Sequence, residues 1–337
     1  MAKIAINGFG RIGRAAFKII LDHFPTLEVA VINDLIPTQN LAYLLEYDSA
    51  YGRYHRPVHA DDSKLVVDGE EYPVLNGKDP AQLPWTVMGV DIVLECTGIF
   101  TRAEDMEKHR QAGAEYVILS APAKSGDVPT IVHGVNEVDY GSVKMISCAS
   151  CTTNCITPLV EVMGRRLGLK KAIMTTVHAY TSSQSIVDGP SKKIRRGRAG
   201  AVNFVPTSTG SAIATTEVLP KYEGLFDGVA VRGPVVVGSI SDVIFVTERE
   251  TTVEEVNDIF REEAESEKYL GILGVSEDPI VSSDIIGDDH ASLVDLDMTR
   301  VVDGDLVKVM SWYDNEWGFT SQMIREAAKL AQEAGLD

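Results

Sequence analysis

Four cysteines in 337 residues are too few to staple a fold with disulfides, so each is a candidate for catalysis or metal binding in a reducing compartment. Long apolar runs are missing as well. No window approaches the roughly 18 to 20 uninterrupted apolar residues of a membrane span. The opening "MAKIAINGFGRIGR" lacks an apolar core followed by a cleavage site, so residence in the cytosol is expected. Positive charge is scarce: 31 Lys and Arg stand against 49 Asp and Glu, a net −18. A surface of that sign repels phosphate backbones and anionic bilayers, which argues against a general nucleic-acid or anionic-membrane binder. The exception is "KKIRRGR", Lys192 to Arg198, with five cationic side chains in seven residues. A local anion is expected beside it, while Lys192 and Lys193 read as solvated loop residues. Internal repeats and low-complexity linkers are also absent.

What is present is a globular composition, 45% hydrophobic and 24% charged, long enough for two domains with separate cores. In the first half, short Val/Ile runs alternate with helical patterns: "KIAIN", "RAAFKIILDHF", "EVAVIND", "VDIVLECTG", "AEDMEKHRQAGA", "EYVILSA" and "VKMISC". Apolar strands separated by helices predict a doubly wound (Rossmann) α/β domain with a parallel sheet. From about residue 150 longer strands follow, "KKAIMTTVHAY", "GSISDVIFVTE" and "DLVKVMSWYD". Their alternation predicts an α+β domain with a mainly antiparallel sheet. The expected boundaries are 1–150 and 151–316, with a terminal helix over 317–337 packing back on the first domain and a cleft where the two domains meet.

"KIAINGFGRIGRAAF" sets Gly8, Gly10 and Gly13 in G-x-G-x-x-G spacing between a strand and a helix. Glycine allows the tight turn and the close approach of a pyrophosphate to the helix N-terminus. The next strand ends in Asp34, where a carboxylate hydrogen-bonds an adenosine ribose hydroxyl and repels a 2′-phosphate. NAD is therefore expected as the cofactor, in preference to NADP.

"SCASCTTNC", residues 147 to 155, holds three of the four cysteines. A structural metal site wants four ligands, and neither a second C-x-x-C nor an H-x-x-x-H lies nearby, so no metal is expected. Cys96 and Cys148 end apolar strands and read as packed thiols. Cys151 opens a helical pattern, where backbone N–H groups and the helix dipole favour a thiolate. Cys155 lies one turn deeper and reads as a spectator. Among seven histidines, His178 ends the apolar "AIMTTVHAYT" and is the candidate base. His23, His55, His59, His109, His133 and His290 occupy polar contexts and are expected to be solvated.

"INGFGRIGR", "SCASCTTNC", "VHAYT", "DGPS", "PTSTG" and "WYDNEWG", in order over residues 3 to about 330, resemble the phosphorylating glyceraldehyde-3-phosphate dehydrogenases. The resemblance implies Cys151 as nucleophile and His178 as general base. It implies that Ser150, Thr152, Thr209 and Gly210 hold inorganic phosphate or the acyl group's attacking partner, and that Thr181, Arg196 and Arg232 recognise phosphate. Phe9, Gly10, Arg11 and Ile12 would line the pyrophosphate, and Asn315 would orient the nicotinamide carboxamide. Leu35 and the Gly189-Pro190 pair resemble NAD-preferring members, and "DGPSKKIRRGR" resembles a loop beside a neighbour's cofactor in a homotetramer. The chain departs from the common pattern at Cys148, where most members carry Asn, and at Gly233 and Val235.

The expected reaction is NAD-dependent oxidative phosphorylation of glyceraldehyde 3-phosphate in central carbon metabolism. Erythrose-4-phosphate and aspartate-semialdehyde dehydrogenases share the general chemistry, but "DGPS" and "PTSTG" fit the triose phosphate better. A non-catalytic NAD-sensing or RNA-binding protein would draw on the basic segment, against the weight of Cys151, His178 and the net charge.

Overall fold

A computed structural model of the chain describes residues 1–336. The chain divides into two compact units, the first comprising Met1–Ile131, Glu137–Ala149 and the stretch from Met323 onward, the second Val132–Asn136 and Ser150–Gln322. No helix among the described residues is long and apolar enough to cross a membrane.

The first unit begins with strand β1 (Ala2–Asn7), helix α1 (Arg11–His23), β2 (Leu27–Asn33) and α2 (Thr38–Glu46). The short strands β3 (Tyr47–Asp48), β4 (Gly52–Arg53) and β5 (Val58–Ala60) follow, then β6 (Lys64–Val67) and β7 (Glu70–Leu75). It continues through α3 (Trp85–Met88), β8 (Ile92–Glu95), α4 (Ala103–Gln111), β9 (Tyr116–Leu119) and β10 (Met145–Ser147). The sheet runs β10-β9-β8-β1-β2-β7-β6-β5. It is parallel from β10 to β7, and β6 and β5 add an antiparallel edge. The alternation of apolar runs and helices therefore reads correctly as a doubly wound sheet. The antiparallel edge was not legible, because its strands are short and mostly half-exposed.

β1 lies between β2 and β8, so the chain leaves the sheet on both sides of the ends of Asn7, Asn33 and Glu95. Ligands bind at such a reversal of strand order. Gly8 turns the chain there with φ of 93°. Gly13 lets α1 close onto that turn: a Cβ at Gly13 would stand 2.1 Å from the Gly8 carbonyl oxygen. Beneath the turn, Ala5, Val31, Val93, Val117 and Trp85 form part of one apolar core.

The second unit contains α5 (Cys151–Arg166), β11 (Leu169–Ala179), β12 (Val205–Ser208), α6 (Ser211–Val218) and β13 (Phe226–Gly233). After these come β14 (Ser239–Thr247), α7 (Val253–Ala264), β15 (Leu273–Ser276), β16 (Ser292–Val302) and β17 (Leu306–Tyr313). A last helix, α8 (Trp317–Glu333), starts in this unit and continues in the first. The seven strands run β12-β13-β11-β14-β17-β16-β15, antiparallel except for the β11–β13 and β15–β16 pairs. β14 buries Ser239, Ser241, Val243, Phe245 and Thr247 in strict alternation, as "SISDVIFVT" predicts for a sheet with one face on a core. On that face α5 is buried along most of its length, its Ile156, Leu159, Val160 and Met163 sharing a core with Val243, Phe245, Val307 and Val309. Apolar packing thus fixes where the N-terminal end of α5, and with it Cys151, is held.

Gly13→Ala forces its new methyl against a main-chain oxygen that cannot rotate away, so α1 must lift from the turn. The expected loss is about 2 to 3 kcal/mol of stability, read as a lower urea midpoint, together with weakened binding of an ADP-containing ligand. An unchanged midpoint would contradict the close packing of helix on turn.

Candidate active site

In the second unit, the Ser150 side chain caps α5 by accepting the Thr153 N–H at 3.1 Å. Cys151 is the first helical residue, two residues after Ala149, which holds a left-handed φ of 60°. The conformation is strained for a residue with a Cβ and turns the chain sharply into the helix. Cys151 Sγ lies 3.3 Å from His178 Nε2. His178 is the penultimate residue of β11 and is directly opposite Arg232 in the parallel β11–β13 register. That register is why Arg232 Nη1 stands 2.7 Å from His178 Nδ1. Arg232 also donates to the Ala179 carbonyl at 3.0 Å, and His178 Nδ1 lies 2.6 Å from the same oxygen. With its proton on Nδ1 and donated to Ala179, the ring presents the Nε2 lone pair to the sulfur.

His178 is almost fully buried. Desolvation, reinforced by the neighbouring Arg232 cation, holds its pKa down to about 3, so the ring is neutral and free to accept a proton at neutral pH. Burial also pushes the Cys151 thiol above its ordinary range, against the pull of Arg232 and of hydrogen bonds from Thr152 and its own N–H. The helix N-terminus was expected to favour a thiolate. Its backbone donors are in place, but desolvation outweighs them, and the thiol relies on the imidazole to remove its proton.

The remaining polar groups converge through strand ends and helix starts. The Tyr313 hydroxyl stands 2.9 Å from Thr152 Oγ1 and 2.8 Å from Thr176 Oγ1, while its ring meets His178 edge-on at 5.9 Å. Thr152 is buried, so its hydroxyl serves Tyr313 and the Cys151 sulfur. Ser150 Oγ lies 3.1 Å from Ser211 Oγ, which in turn lies 2.9 Å from Thr209 Oγ1. With Gly210 at the N-cap of α6, these hydroxyls bring the starts of α5 and α6 together, a setting that favours an anion. Arg196 donates to Thr207 Oγ1 at 3.0 Å, and its charge is felt by both His178 and Arg232. Thr181 lies two residues beyond β11 and pairs with Ser183 at 2.9 Å. Asn315 Oδ1 accepts from Ser239 at 2.9 Å.

The other thiols differ. Cys155 is fully buried and burial pushes it up to about 12. In the first unit, Cys148 is buried and held well above the ordinary thiol range, and Cys96 is pushed up to about 12. Cys96 and Cys148 follow β8 and β10, with β9 between them. Two strand spacings are about 9.5 Å, beyond the reach of a disulfide. The one cluster of three metal-capable side chains among the described residues is Asp288, Asp289 and His290, which includes no cysteine.

The first unit holds a cavity of about 270 Å³ lined by Gly8, Gly10, Asp34, Lys78, Thr97 and Phe100, among others. Nothing lies within 4 Å of the place a Gly10 Cβ would take, so the turn is open on that side. Asp34 uses both oxygens locally, accepting from the Phe9 N–H at 2.7 Å and the Ile36 N–H at 3.0 Å. The Phe9 ring is buried against Phe17, leaving main chain as its contribution to the turn. Arg11 pairs with Asp48, and Ile12 and Gly13 fall in the first turn of α1. A glycine cradle at a helix N-terminus, an acid at the end of β2 and a cavity between them fit a dinucleotide.

Beneath this cavity lies a network that the sequence did not reveal. Glu95, fully buried, accepts from the Asn7 amide at 2.5 Å, the Thr97 N–H at 2.8 Å and the Thr97 hydroxyl, with His109 Nε2 at 3.1 Å. Trp85 donates to His109 Nδ1 at 3.0 Å, so Nε2 carries the proton of the neutral ring. Asn7 also accepts from Asn33, which binds Gly77 through both ends of its amide. The expectation that His109 is solvated is therefore wrong: the ring is fully buried. Its neighbours in sequence are charged and hide this, since α4 buries only Met106 and His109. The one available signal was an acid, Glu95, inside the apolar run "VDIVLEC". Tyr313, Ser211 and Ser239 were also missed, because each matters through partners far away in sequence.

Arg232→Gln removes a cation beside His178 and should raise the pH at which that ring titrates, measured by NMR of the imidazole; an unmoved or lower titration would contradict the arrangement. The same shift has a sign in stability. The unfolded ring, near 6.5, takes up a proton before the folded one near 3 does, so the His178 contribution makes stability fall as pH drops from about 6.5 toward 3. The variant should lose less over that window.

Comparison with known proteins agrees with this geometry. The family profile "Glyceraldehyde 3-phosphate dehydrogenase, NAD binding domain" matches residues 2–103, and "Glyceraldehyde 3-phosphate dehydrogenase, C-terminal domain" matches residues 150–315. The chain is 46% identical to a glyceraldehyde-3-phosphate dehydrogenase of Clostridium acetobutylicum, over 99% of this chain and 100% of that protein. It is equally similar, at 46%, to one of Streptomyces coelicolor over 96% of both chains. A third relative at 46%, glyceraldehyde-3-phosphate dehydrogenase 1 of Bacillus subtilis, aligns over 98% of both. With this likeness over nearly its full length, and with a neutral imidazole set against the cysteine that opens a helix, the chain belongs to the glyceraldehyde-3-phosphate dehydrogenase family.

Proposed function

We propose that this chain oxidises glyceraldehyde 3-phosphate in the presence of inorganic phosphate, giving 1,3-bisphosphoglycerate through a thioester on Cys151. The observation that carries the reading is the 3.3 Å contact between Cys151 Sγ and His178 Nε2. His178 takes the thiol proton as sulfur bonds to the aldehyde carbon, and returns it to the new alkoxide to give a hemithioacetal. NAD, when bound, supplies the acceptor for the hydride that then leaves that carbon. As it leaves, His178 takes the hydroxyl proton and a thioester remains. An oxygen of inorganic phosphate attacks the thioester carbon, the C–S bond breaks, and Cys151 departs as thiolate and takes back the proton held by His178, while the phosphate's own proton goes to solvent. The Cys151 N–H and the His178 imidazole stabilise the oxyanion, an effect worth roughly 3 to 4 kcal/mol per donor in comparable sites.

Ser150, Thr209, Gly210, Thr181, Arg196 and Arg232 are assigned to the phosphate groups of substrate and attacking ion. The hydroxyl cluster at the two helix starts and the two guanidinium groups support this. Gly8, Phe9, Gly10, Arg11, Ile12 and Gly13 are assigned to the NAD pyrophosphate, Asp34 to the adenosine ribose and Asn315 to the nicotinamide carboxamide. Ile186, Val187, Ile194, Val202 and Phe204 are each more than 70% exposed, apolar side chains that support burial against further copies of the chain in a homotetramer.

Two measurements test the reading. NADH should form rapidly from glyceraldehyde 3-phosphate only when inorganic phosphate is present, and more slowly from erythrose 4-phosphate; tetrose preference or indifference to phosphate would contradict it. Cys151→Ser should lose at least a thousandfold in turnover while calorimetry shows NAD binding retained.

A further inference from the structure

The β11–β14 ladder ends at Val177 and Ile240, and the β14–β17 ladder ends at Ser239 and Tyr313. Beyond those points the main chain needs other partners. Ser239 supplies one: its hydroxyl, almost fully buried, accepts the Ala179 N–H at 3.1 Å and donates to Asn315 Oδ1 at 2.9 Å. Ala179 is the residue after His178, and its carbonyl is shared by His178 Nδ1 and Arg232. One hydroxyl thus ties the end of the strand carrying the base to the amide of Asn315.

A hydroxyl has a single proton. With the Ala179 N–H donating into the Ser239 oxygen, that proton is directed at Asn315, and only the amide oxygen can receive it. The Asn315 NH₂ is thereby turned the other way, and it makes no hydrogen bond with any other described residue. Two free N–H donors on a buried, oriented amide suit a carbonyl oxygen on a ligand.

We infer that Ser239 is a positioning residue that fixes the amide of Asn315 with its NH₂ toward the carboxamide oxygen of the nicotinamide. The inference rests on the assignment of Asn315 to that ring. Without the Ser239 hydroxyl the amide loses the partner that fixes its flip and its rotamer, and orientations that offer the ligand an oxygen, or no donor at all, become populated.

The test compares two ligands by calorimetry on the intact protein: NAD, and ADP-ribose, which lacks the nicotinamide. Ser239→Ala should raise the NAD Kd by about three- to tenfold, the worth of one hydrogen bond, and leave the ADP-ribose Kd unchanged. Asn315→Ala should have the same selective effect, and the double variant should be no worse than Asn315→Ala alone. Ser239→Thr, which keeps the hydroxyl, should retain most of the NAD affinity. If Ser239→Ala does not fold, Ser239→Cys, close in size but a far weaker donor, is measured in its place. Equal weakening of both ligands, or no change while Asn315→Ala selectively loses NAD, would overturn the role of Ser239. An Asn315→Ala protein that binds both ligands normally would instead overturn the assignment of Asn315, and the inference with it.

Discussion

Everything chemical in this protein depends on one desolvated contact, the 3.3 Å approach of Cys151 to His178. Taken out of water, an imidazole resists protonation and a thiol resists ionisation. The pair therefore rests uncharged, with a weakly basic acceptor against a reluctant acid, and a proton moves only when a new bond to sulfur makes the transfer favourable. Arg232 adjusts the balance from the far side of the ring, discouraging the imidazolium and favouring the thiolate.

The contact is set by elements that have other reasons to be where they are. α5 is held by apolar packing along most of its length, and its cap and the strained Ala149 decide where the first residue falls. β11 is central in its sheet, and its parallel register with β13 puts Arg232 beside His178. Tyr313 then bridges the helix start to β11 through Thr152 and Thr176. The first unit repeats the theme: Glu95, surrounded by donors, and His109, fixed by Trp85, hold the floor of the glycine-lined cavity. Buried polar groups with all their partners rigidify a site, whereas leaving one partner out leaves a desolvated charge.

How much could be read beforehand follows from the range of each interaction. The doubly wound sheet, the mainly antiparallel sheet, the glycine turn with Asp34, and Cys151 at a helix start are local patterns of spacing and periodicity, and all were legible. His178 was legible because it ends an apolar strand. Its pairing with Arg232 is a matter of sheet register, invisible without the fold. The short half-exposed strands β5 to β7 carry too weak a pattern to recognise. His109 misled because three of its neighbours on α4 are charged, while the helix turns only it and Met106 inward. Ser239 could not be picked out, since it looks like any inward polar residue of an alternating strand until Asn315, 76 residues later, is brought against it.

The central claim is that one thiol of four carries the substrate. Intact-mass and peptide mass spectrometry of the protein, quenched in acid after mixing with glyceraldehyde 3-phosphate and NAD but no inorganic phosphate, measures this directly. The account predicts a single phosphoglyceroyl adduct on the peptide containing Cys151, discharged when phosphate is added before the quench. No adduct, or one on Cys96, Cys148 or Cys155, would contradict it.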